Sequence, residues 1–323
     1  MNRTHIEEVE VLAFDDSAHG HRARGLDNLR RMLGAETIVG PSAENLARLA
    51  RWKGPVILQS SDCYPALAAR ISLGRALRGR RTVGTVYRPP HTALDPIRRL
   101  RRSIFHHALS AWPNTQLISM SPKLGLNGVE EAGPWVFDGE WWDIEEEPAR
   151  CEIPGGIQPG FVLFAGTLMA RKGFGFFKDI AVAAGGDLSF VAAGEQVDVS
   201  DADLAAFKAA GGIHLPGYIS DQELFDLMRG ASYAWCCYRP DNNMSSGIYG
   251  RALQLGTPPL VNKQTWLGSA ARLLDWGVEL AYGDVDGALR QLRASEPPHW
   301  SNARLDLVAQ HGLAKFRRYV LND

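Results

Sequence analysis

Between Tyr238 and Val261 the chain reads YRPDNNMSSGIYGRALQLGTPPLV. Two hydroxyl side chains, Ser245 and Ser246, precede Gly247 and a run in which Ile248, Ala252 and Leu255 recur at the spacing of one buried helical face. Gly256 followed by Thr257-Pro258-Pro259 ends that helix, and Leu260-Val261 starts a short strand. Upstream, Tyr233 to Cys237 is apolar and aromatic enough for a buried strand. A strand, a polar glycine loop and a helix in succession present free backbone N–H groups and the positive end of a helix dipole at a sheet edge. A phosphate or diphosphate is the ligand such a place suits. The same serines also fit the simpler role of an N-cap. A second device of this kind carries cations: the strand Phe161 to Ala165, the loop Gly166 to Gly173 with Arg171 and Lys172, and the helix Phe174 to Ala184.

Positioning two such loops requires a sheet beneath each. The chain has 323 residues, of which 45% are hydrophobic, enough for two domains with substantial cores. Val9 to Phe14, Pro55 to Gln59, Thr82 to Tyr87 and Leu117 to Met120 read as strands, with helices over Arg22 to Leu33 and Ala66 to Leu77. Strands alternating with helices imply a parallel sheet covered on both faces. Ile153-Pro154-Gly155-Gly156 with Pro159-Gly160 reads as a linker, after which the pattern restarts. Leu188 to Ala192 is a further strand, Asp221 to Met228 a helix capped by Ser220, and Ala303 to Val320 mostly helix. No GxGxxG follows the first strand, which leaves a dinucleotide-binding role unsupported.

The formal net charge of −1 gives no bulk attraction to nucleic acid, but its distribution is uneven. From Ser17 to Gly125 there are 18 Lys or Arg against five acids; from Glu130 to Glu147 there are eight acids and no base. A surface that meets anions is implied. DPIRRLRRSIFHHAL, from Asp95 to Leu109, is the densest basic segment. Ile97, Leu100, Ile104 and Phe105 form its apolar stripe, flanked by Arg98, Arg99, Arg101 and Arg102. It is either a solvated helix packed on the sheet or a basic amphipathic helix resting on anionic lipid, with Arg78, Arg80 and Arg81 extending the patch. His106 and His107 find no third ligand at metal-binding spacing. The cysteines follow no regular spacing, and adjacent Cys236 and Cys237 read as buried thiols of a reducing compartment. With no apolar N-terminal signal and no long apolar run, the expectation is a cytoplasmic protein that can still rest on the inner face of a membrane.

The motifs of the second half, taken in order through residues 161–262, resemble the C-terminal domain of nucleotide-sugar-dependent glycosyltransferases of the GT-B fold, most like family 4. FAGTLMARKG is similar to the family's Gly-Arg-Leu…Lys-Gly loop, and LSFVAAGE to its second strand and loop. IHLPGYISDQELFDLMRGASYAWCCY is similar to its glycine loop, helix and following strand, and SSGIYGRALQLGTPPLV to its donor-binding helix. The first half matches more loosely, through SAHGHRARGLDNLRRML, TVGTVYRPPH and LISMSPKLG. The resemblance implies two Rossmann-like, doubly wound parallel-sheet domains facing across a cleft. Residues 1–152 would form the acceptor side and 153–300 the nucleotide-sugar side, with a terminal helix in 301–323 packing back toward the first domain.

The resemblance also implies roles. Lys172 and Arg171 would neutralise the donor diphosphate, with Ser245 and the N–H groups of Ser246, Gly247 and Ile248 at its helix terminus. His91 would stand near the sugar, or else only pack in its Pro-Pro turn. Gly20, Gly166, Thr167 and Tyr218 complete the donor set. No metal or cofactor is implied, since the nucleotide sugar is the substrate. The family's paired glutamates fall here on Asn243 and Arg251, and the loop arginine on Thr167. An amide at Asn243 can still bond a sugar hydroxyl, whereas Arg251, at the edge of its helix stripe, would face the cleft and pair with a phosphate or stack on the base. The implied activity is transfer of a sugar to a saccharide or lipid-linked acceptor in cell-surface polysaccharide or glycolipid assembly. A retaining transfer needs no protein base, because the leaving phosphate takes the acceptor's proton; an inverting one would use Asp15 or Asp16. Binding without transfer, or epimerisation of a sugar nucleotide, are the alternatives.

Overall fold

The structure is a computed structural model and describes residues 10–17, 21–87, 95–119, 152–244, 246–294 and 316–321. These divide into two compact units, one formed by residues up to 119 together with 316–321, the other by 152–294. Each is a parallel sheet with helices on both faces.

The first sheet holds β1 (Leu12–Asp15), β2 (Glu36–Val39), β3 (Val56–Leu58), β4 (Thr82–Val86) and β5 (Thr115–Ser119) in the order β2-β1-β3-β4-β5. All of its pairings are parallel. Its helices are α1 (His21–Leu33), α2 (Ala43–Arg51), α3 (Pro65–Ala76) and α4 (Pro96–Ser110). Alternation along the strands decides the layering. Val11, Ala13, Ile57 and Val83 point to one face, where Leu26 and Leu29 of α1 cover them together with Phe316 and Val320 of the short helix at 316–321. Leu12, Phe14, Val56 and Leu58 point to the other, against Leu49, Ala68 and Ile71. Arg81 joins the terminal helix to this unit by donating to the carbonyls of Val320 and Tyr319.

Arg75 lies fully buried behind these strands. Its guanidinium donates to the carbonyls of Leu49 (2.7 Å), Trp52 (2.9 Å), Gly54 (2.7 Å) and Arg81 (2.9 Å), and to Thr82 Oγ1 (3.1 Å). One side chain thereby satisfies the end of α2 and the entries to β3 and β4, where no helix or ladder could.

The second sheet holds β6 (Phe161–Ala165), β7 (Phe190–Ala193), β8 (Ile213–Leu215), β9 (Ala231–Cys236), β10 (Pro259–Asn262) and β11 (Val278–Leu280), again all parallel. Its order is β11-β10-β9-β6-β7-β8. Renumbered from β6, that is the 3-2-1-4-5-6 order of a dinucleotide-binding sheet, and it reverses direction between β6 and β9. The helices are α5 (Phe174–Ala184), α6 (Asp201–Ala209), α7 (Asp221–Gly230), α8 (Gly247–Leu255), α9 (Trp266–Leu274) and α10 (Val285–Ala294). One face carries an aromatic core of Phe164, Phe174, Phe177, Phe207 and Trp235, with ring centroids 5.2–6.2 Å apart. The opposite face packs Phe161, Leu163, Val191 and Ala193 against Leu227 and Met228 of α7.

Three sequence expectations change. The stripe assigned to Asp95–Leu109 divides: Leu109 is buried and Phe105 packs on the core, whereas Ile97, Leu100 and Ile104 face outward, 63%, 61% and 60% exposed. The α8 face is broader than Ile248, Ala252 and Leu255, because the helix is covered by both β9 and α7; Tyr249 to Leu253 are all buried, so Arg251 lies inside the face and not at its edge. Of the residues expected to extend the basic patch, Arg78 is exposed, whereas Arg80 and Arg81 are half-buried and donate to the carbonyls of Ala50, Tyr319 and Val320. Cys236 and Cys237 are buried thiols, while Cys63 is exposed. The acidic stretch 130–147 and most of 303–320 lie outside the described residues.

Candidate functional site

A parallel sheet leaves a crevice where strand order reverses, because the loops leaving the two adjacent strands depart to opposite faces. In the second domain those are the loops after β6 and β9, which contain Gly166 to Gly173 and Cys237 to Ser246. They are bonded directly to one another. Arg171 Nη1 donates to Asn242 Oδ1 at 3.2 Å, the Arg239 N–H donates to the Arg171 carbonyl at 3.2 Å, and Trp235 Nε1 donates to the Lys172 carbonyl at 3.1 Å.

Close backbone approach shapes the first of these loops. Gly166 (φ 84°) and Gly173 (φ 81°) both occupy the left-handed region. A Cβ on Gly173 would stand 2.4 Å from the Cys237 carbonyl, so only glycine lets the two loops touch. Likewise a Cβ on Gly194, after β7, would stand 2.2 Å from the Gly166 carbonyl. Lys172 turns its ammonium back over this loop, with Nζ 3.3 Å from the point a Cβ of Gly166 would take. Among the described residues no carboxylate pairs with it. Burial, followed by the charge of Arg171, holds the Lys172 ammonium below the ordinary lysine range, a strain that a bound anion would relieve.

The loop after β9 is fixed from its other side. Asn262, fully buried at the end of β10, donates through Nδ2 to the Tyr238 carbonyl at 2.8 Å. The Tyr238 hydroxyl meets Ser246 Oγ at 2.8 Å, and Ser246 Oγ accepts from the Tyr249 N–H as the N-cap of α8. The hydroxyl thus fills the N-cap role, and the N–H groups of Gly247 and Ile248 head the first turn of the helix. Burial pushes the Cys236 thiol beneath them up to about 12, which removes it as a nucleophile near neutral pH.

The glutamate positions of the resembled family are occupied differently. Asn243 Oδ1 accepts the N–H of Trp266 at the start of α9, so that oxygen serves the scaffold. Arg251 is neither solvated nor at a helix edge. It is 5% exposed, its guanidinium lies 4.8 Å over the Phe225 ring of α7, and Nη1 donates to Gln254 Oε1 at 2.6 Å. Thr167 stands beside Gly166 in the first loop. Tyr218, on the loop between β8 and α7, is 88% exposed and is not tied into this hydrogen-bonded set. Gly20, His91 and Ser245 lie outside the described residues. Asn242, Asn262, Trp235 and Gly194 were not singled out in the sequence; their only signal was position at or near the ends of strands that prove to be adjacent.

The first sheet has its own reversal, between β1 and β3, and it too gathers polar groups. Asp15 is fully buried at the end of β1 and pairs with Arg22 of α1, which also binds Asp16. Gln59 Nε2 donates to the Arg22 carbonyl at 3.2 Å, and the Tyr64 hydroxyl donates to the Gln59 carbonyl. Burial raises the Asp15 carboxyl to about 6 despite the opposing pull of Arg22. Both acids considered as bases are thus engaged by one guanidinium.

No family model matches the sequence, and no curated protein matches it by sequence. Solved structures do match in shape. The Anabaena protein HepE in complex with UDP superposes with a TM-score of 0.62 at 10% identity, covering 97% of this chain and 96% of that one. AviGT4, a glycosyltransferase involved in avilamycin A biosynthesis, gives 0.55 at 13% identity over 97% and 99% of the two chains. An E. coli trehalose-6-phosphate structure bound with UDP-2-fluoro glucose gives 0.53 at 10%, over 97% and 96%. Likeness at such identities speaks for architecture, and it spans both domains: the chain has the GT-B fold found in glycosyltransferases.

Proposed function

We propose that the protein is a glycosyltransferase that binds a nucleotide-diphosphate sugar at the β6/β9 reversal and transfers the sugar to a saccharide or lipid-linked acceptor. One observation carries the reading: Lys172, held uncompensated by any carboxylate among the described residues, shares one hydrogen-bonded pair of loops with Arg171 and the head of α8. Cations and backbone N–H groups carried on two adjoining loops suit a diphosphate whose charge grows as the sugar leaves. Because Asp15 and Asp16 are engaged by Arg22, the reading favours a retaining transfer in which the leaving phosphate accepts the acceptor's proton. Assembly of a cell-surface polysaccharide or glycolipid on the cytoplasmic side, at an anionic membrane surface met through Arg98, Arg99, Arg101 and Arg102, is the setting that fits this chemistry. The neighbours described as bound to UDP or UDP-2-fluoro glucose support the donor class.

A second reading, binding without transfer, is favoured by Asn243 and Arg251, whose groups serve Trp266, Phe225 and Gln254. A thermal-shift panel of UDP, GDP, TDP, CMP and ADP sugars tests the first claim. A ligand at a hundredfold its dissociation constant adds about 2.7 kcal/mol, an easily read shift. No shift with any donor would remove the reading. A shift without donor hydrolysis or transfer would move the protein to the second.

A further inference from the structure

Phe14 of β1 and Leu58 of β3 are partners across a parallel pair, and both point to one face of the first sheet. The residues that follow them, Asp15 and Gln59, therefore turn together to the opposite face, under the first turns of α1. Both are buried. From α1, Arg22 donates through Nη2 to Asp15 Oδ1 and Asp16 Oδ1, and Gly25 leaves room that a Cβ would take from Gln59 Nε2. Each polar side chain uses only part of its bonding capacity. Asp15 Oδ1 also accepts from the Ser17 N–H at 3.2 Å, and Gln59 Nε2 donates to the Arg22 carbonyl at 3.2 Å. Asp15 Oδ2, Gln59 Oε1 and Arg22 Nε are buried with no hydrogen-bond partner among the described residues. Leaving such atoms unpaired is costly, and here three stand on neighbouring side chains. Their frame is fixed from behind: the Tyr64 hydroxyl donates to the Gln59 carbonyl, the Ser60 N–H to Thr85 Oγ1 at 3.0 Å, and Ser61 Oγ to the Thr85 carbonyl at 2.9 Å.

From this arrangement we infer that the ends of β1 and β3 form a hydroxyl-recognition site, which takes a neutral vicinal diol of the acceptor sugar. The inventory of donors and acceptors decides the class. Two hydroxyl protons suit Asp15 Oδ2 and Gln59 Oε1, and an oxygen lone pair suits Arg22 Nε; a diol supplies both. An ammonium group supplies donors alone and would stand beside the Arg22 guanidinium. A phosphate or carboxylate supplies acceptors alone and would face Asp15 and Asp16. The role is anchoring, with no proton transferred. Asp16 and Arg22 are half-buried and link the cluster to the surface. This inference deepens the transfer reading and rests on it for calling the sugar an acceptor; the binding itself is a property of the first domain.

The test is a saturation-transfer NMR titration of the full-length protein with the methyl glycosides of glucose, mannose and galactose. It is run at about pH 8, where Asp15, raised to about 6, is ionised. At least one glycoside is expected to bind, and neither inorganic phosphate nor ethylammonium at equal concentration should displace it. Its monodeoxy analogues that lack one hydroxyl of the recognised pair should bind about tenfold more weakly, because a buried acceptor is then left unpaired. In Asp15→Asn the ratio of diol to deoxy affinity should fall toward one. Gln59→Met, which removes a neutral acceptor, should lower the ratio less. A variant that merely distorts the domain weakens diol and deoxy glycosides alike, and an unchanged ratio in both variants overturns the inference. So does a parent that binds none of the three glycosides, which would assign the three atoms to an internal water. Displacement by phosphate or by ethylammonium overturns the neutral-diol class. A donor thermal shift without glycoside binding sinks this site alone, and glycoside binding without any donor shift sinks the donor reading alone.

Discussion

The indole N–H of Trp235, one residue before the end of buried β9, donates to the backbone carbonyl of Lys172 at 3.1 Å. It holds the β6 loop from the neighbouring strand, so the lysine is carried on two strands. Lys172→Ala should weaken nucleotide-sugar binding by about 1.5–3 kcal/mol, the range for a lost charge-assisted contact, with the fold unchanged. The affinity should also depend on pH. Only the protonated amine binds a diphosphate, and burial lowers its pKa in the free protein. Binding therefore weakens as pH rises through that lowered value, and Lys172→Met should lack this limb. Calorimetric titration of donor from neutral to alkaline pH reads both; identical profiles for parent and Met variant would take Lys172 out of the site.

Gly173 tests the contact between the two loops. In Gly173→Ala the new methyl meets the Cys237 carbonyl, and the backbone must hold φ 81° with a side chain present. A loss of about 1–3 kcal/mol in the stability of the second domain is expected, together with weaker donor binding. Unaltered urea unfolding would mean the loops part without cost.

Arg251 is predicted to matter through packing. Arg251→Ala removes a buried cation–aromatic stack on Phe225 and should cost about 1–2 kcal/mol. Arg251→Glu places a carboxylate against the same ring and should cost more. Donor affinity is expected to fall in the same order, parent, Ala, Glu. A Glu variant that binds donor as tightly as the parent would separate this residue from the site altogether.

Arg75 ties three elements through five acceptors. Arg75→Met should destabilise the first domain by on the order of 3–5 kcal/mol, because several buried carbonyls lose their donors together. Arg75→Lys should rescue little, since one ammonium cannot span the fork of a guanidinium. Chemical denaturation followed by a first-domain probe decides this; a Lys variant near parent stability would contradict the five-way role.

Asp15 gives the first domain a pH dependence of definite sign. Burial raises its carboxyl from 3.8 to about 6. The folded state then binds the proton more tightly than the unfolded chain does. This contribution is complete below about pH 3.8 and is lost as pH rises through about 6. Asp15→Asn should flatten that segment of the melting-temperature profile. Parallel profiles for the two proteins would show that burial and Arg22 cancel, leaving the carboxyl at its ordinary value, and a parent that loses stability only toward acid pH would show that Arg22 and not burial sets it.

Local signals written within a few residues determined a great deal. The period of Arg22 to Leu33 and of Phe174 to Ala184, the Ser220 cap with Glu223 completing its capping box, and Gly256 ending α8 at φ 70° are all legible one element at a time. So is the repeated strand, glycine loop and helix that pointed to two parallel-sheet domains. The strands β2 and β8 were not legible, because three or four residues of strand carry too little periodicity to stand apart from loop. What the sequence could not decide was adjacency. That β6 lies beside β9, bringing Arg171 to Asn242 and Lys172 to Trp235, depends on strand order, which arises from non-local packing of both sheet faces. Arg251 looked like an edge residue until α7 supplied Phe225. Likewise Ile97, Leu100 and Ile104 shared one apparent stripe with Phe105 until the sheet took only Phe105 and Leu109. A helix's own pattern says which residues share a side; the neighbours it packs against decide which side is covered.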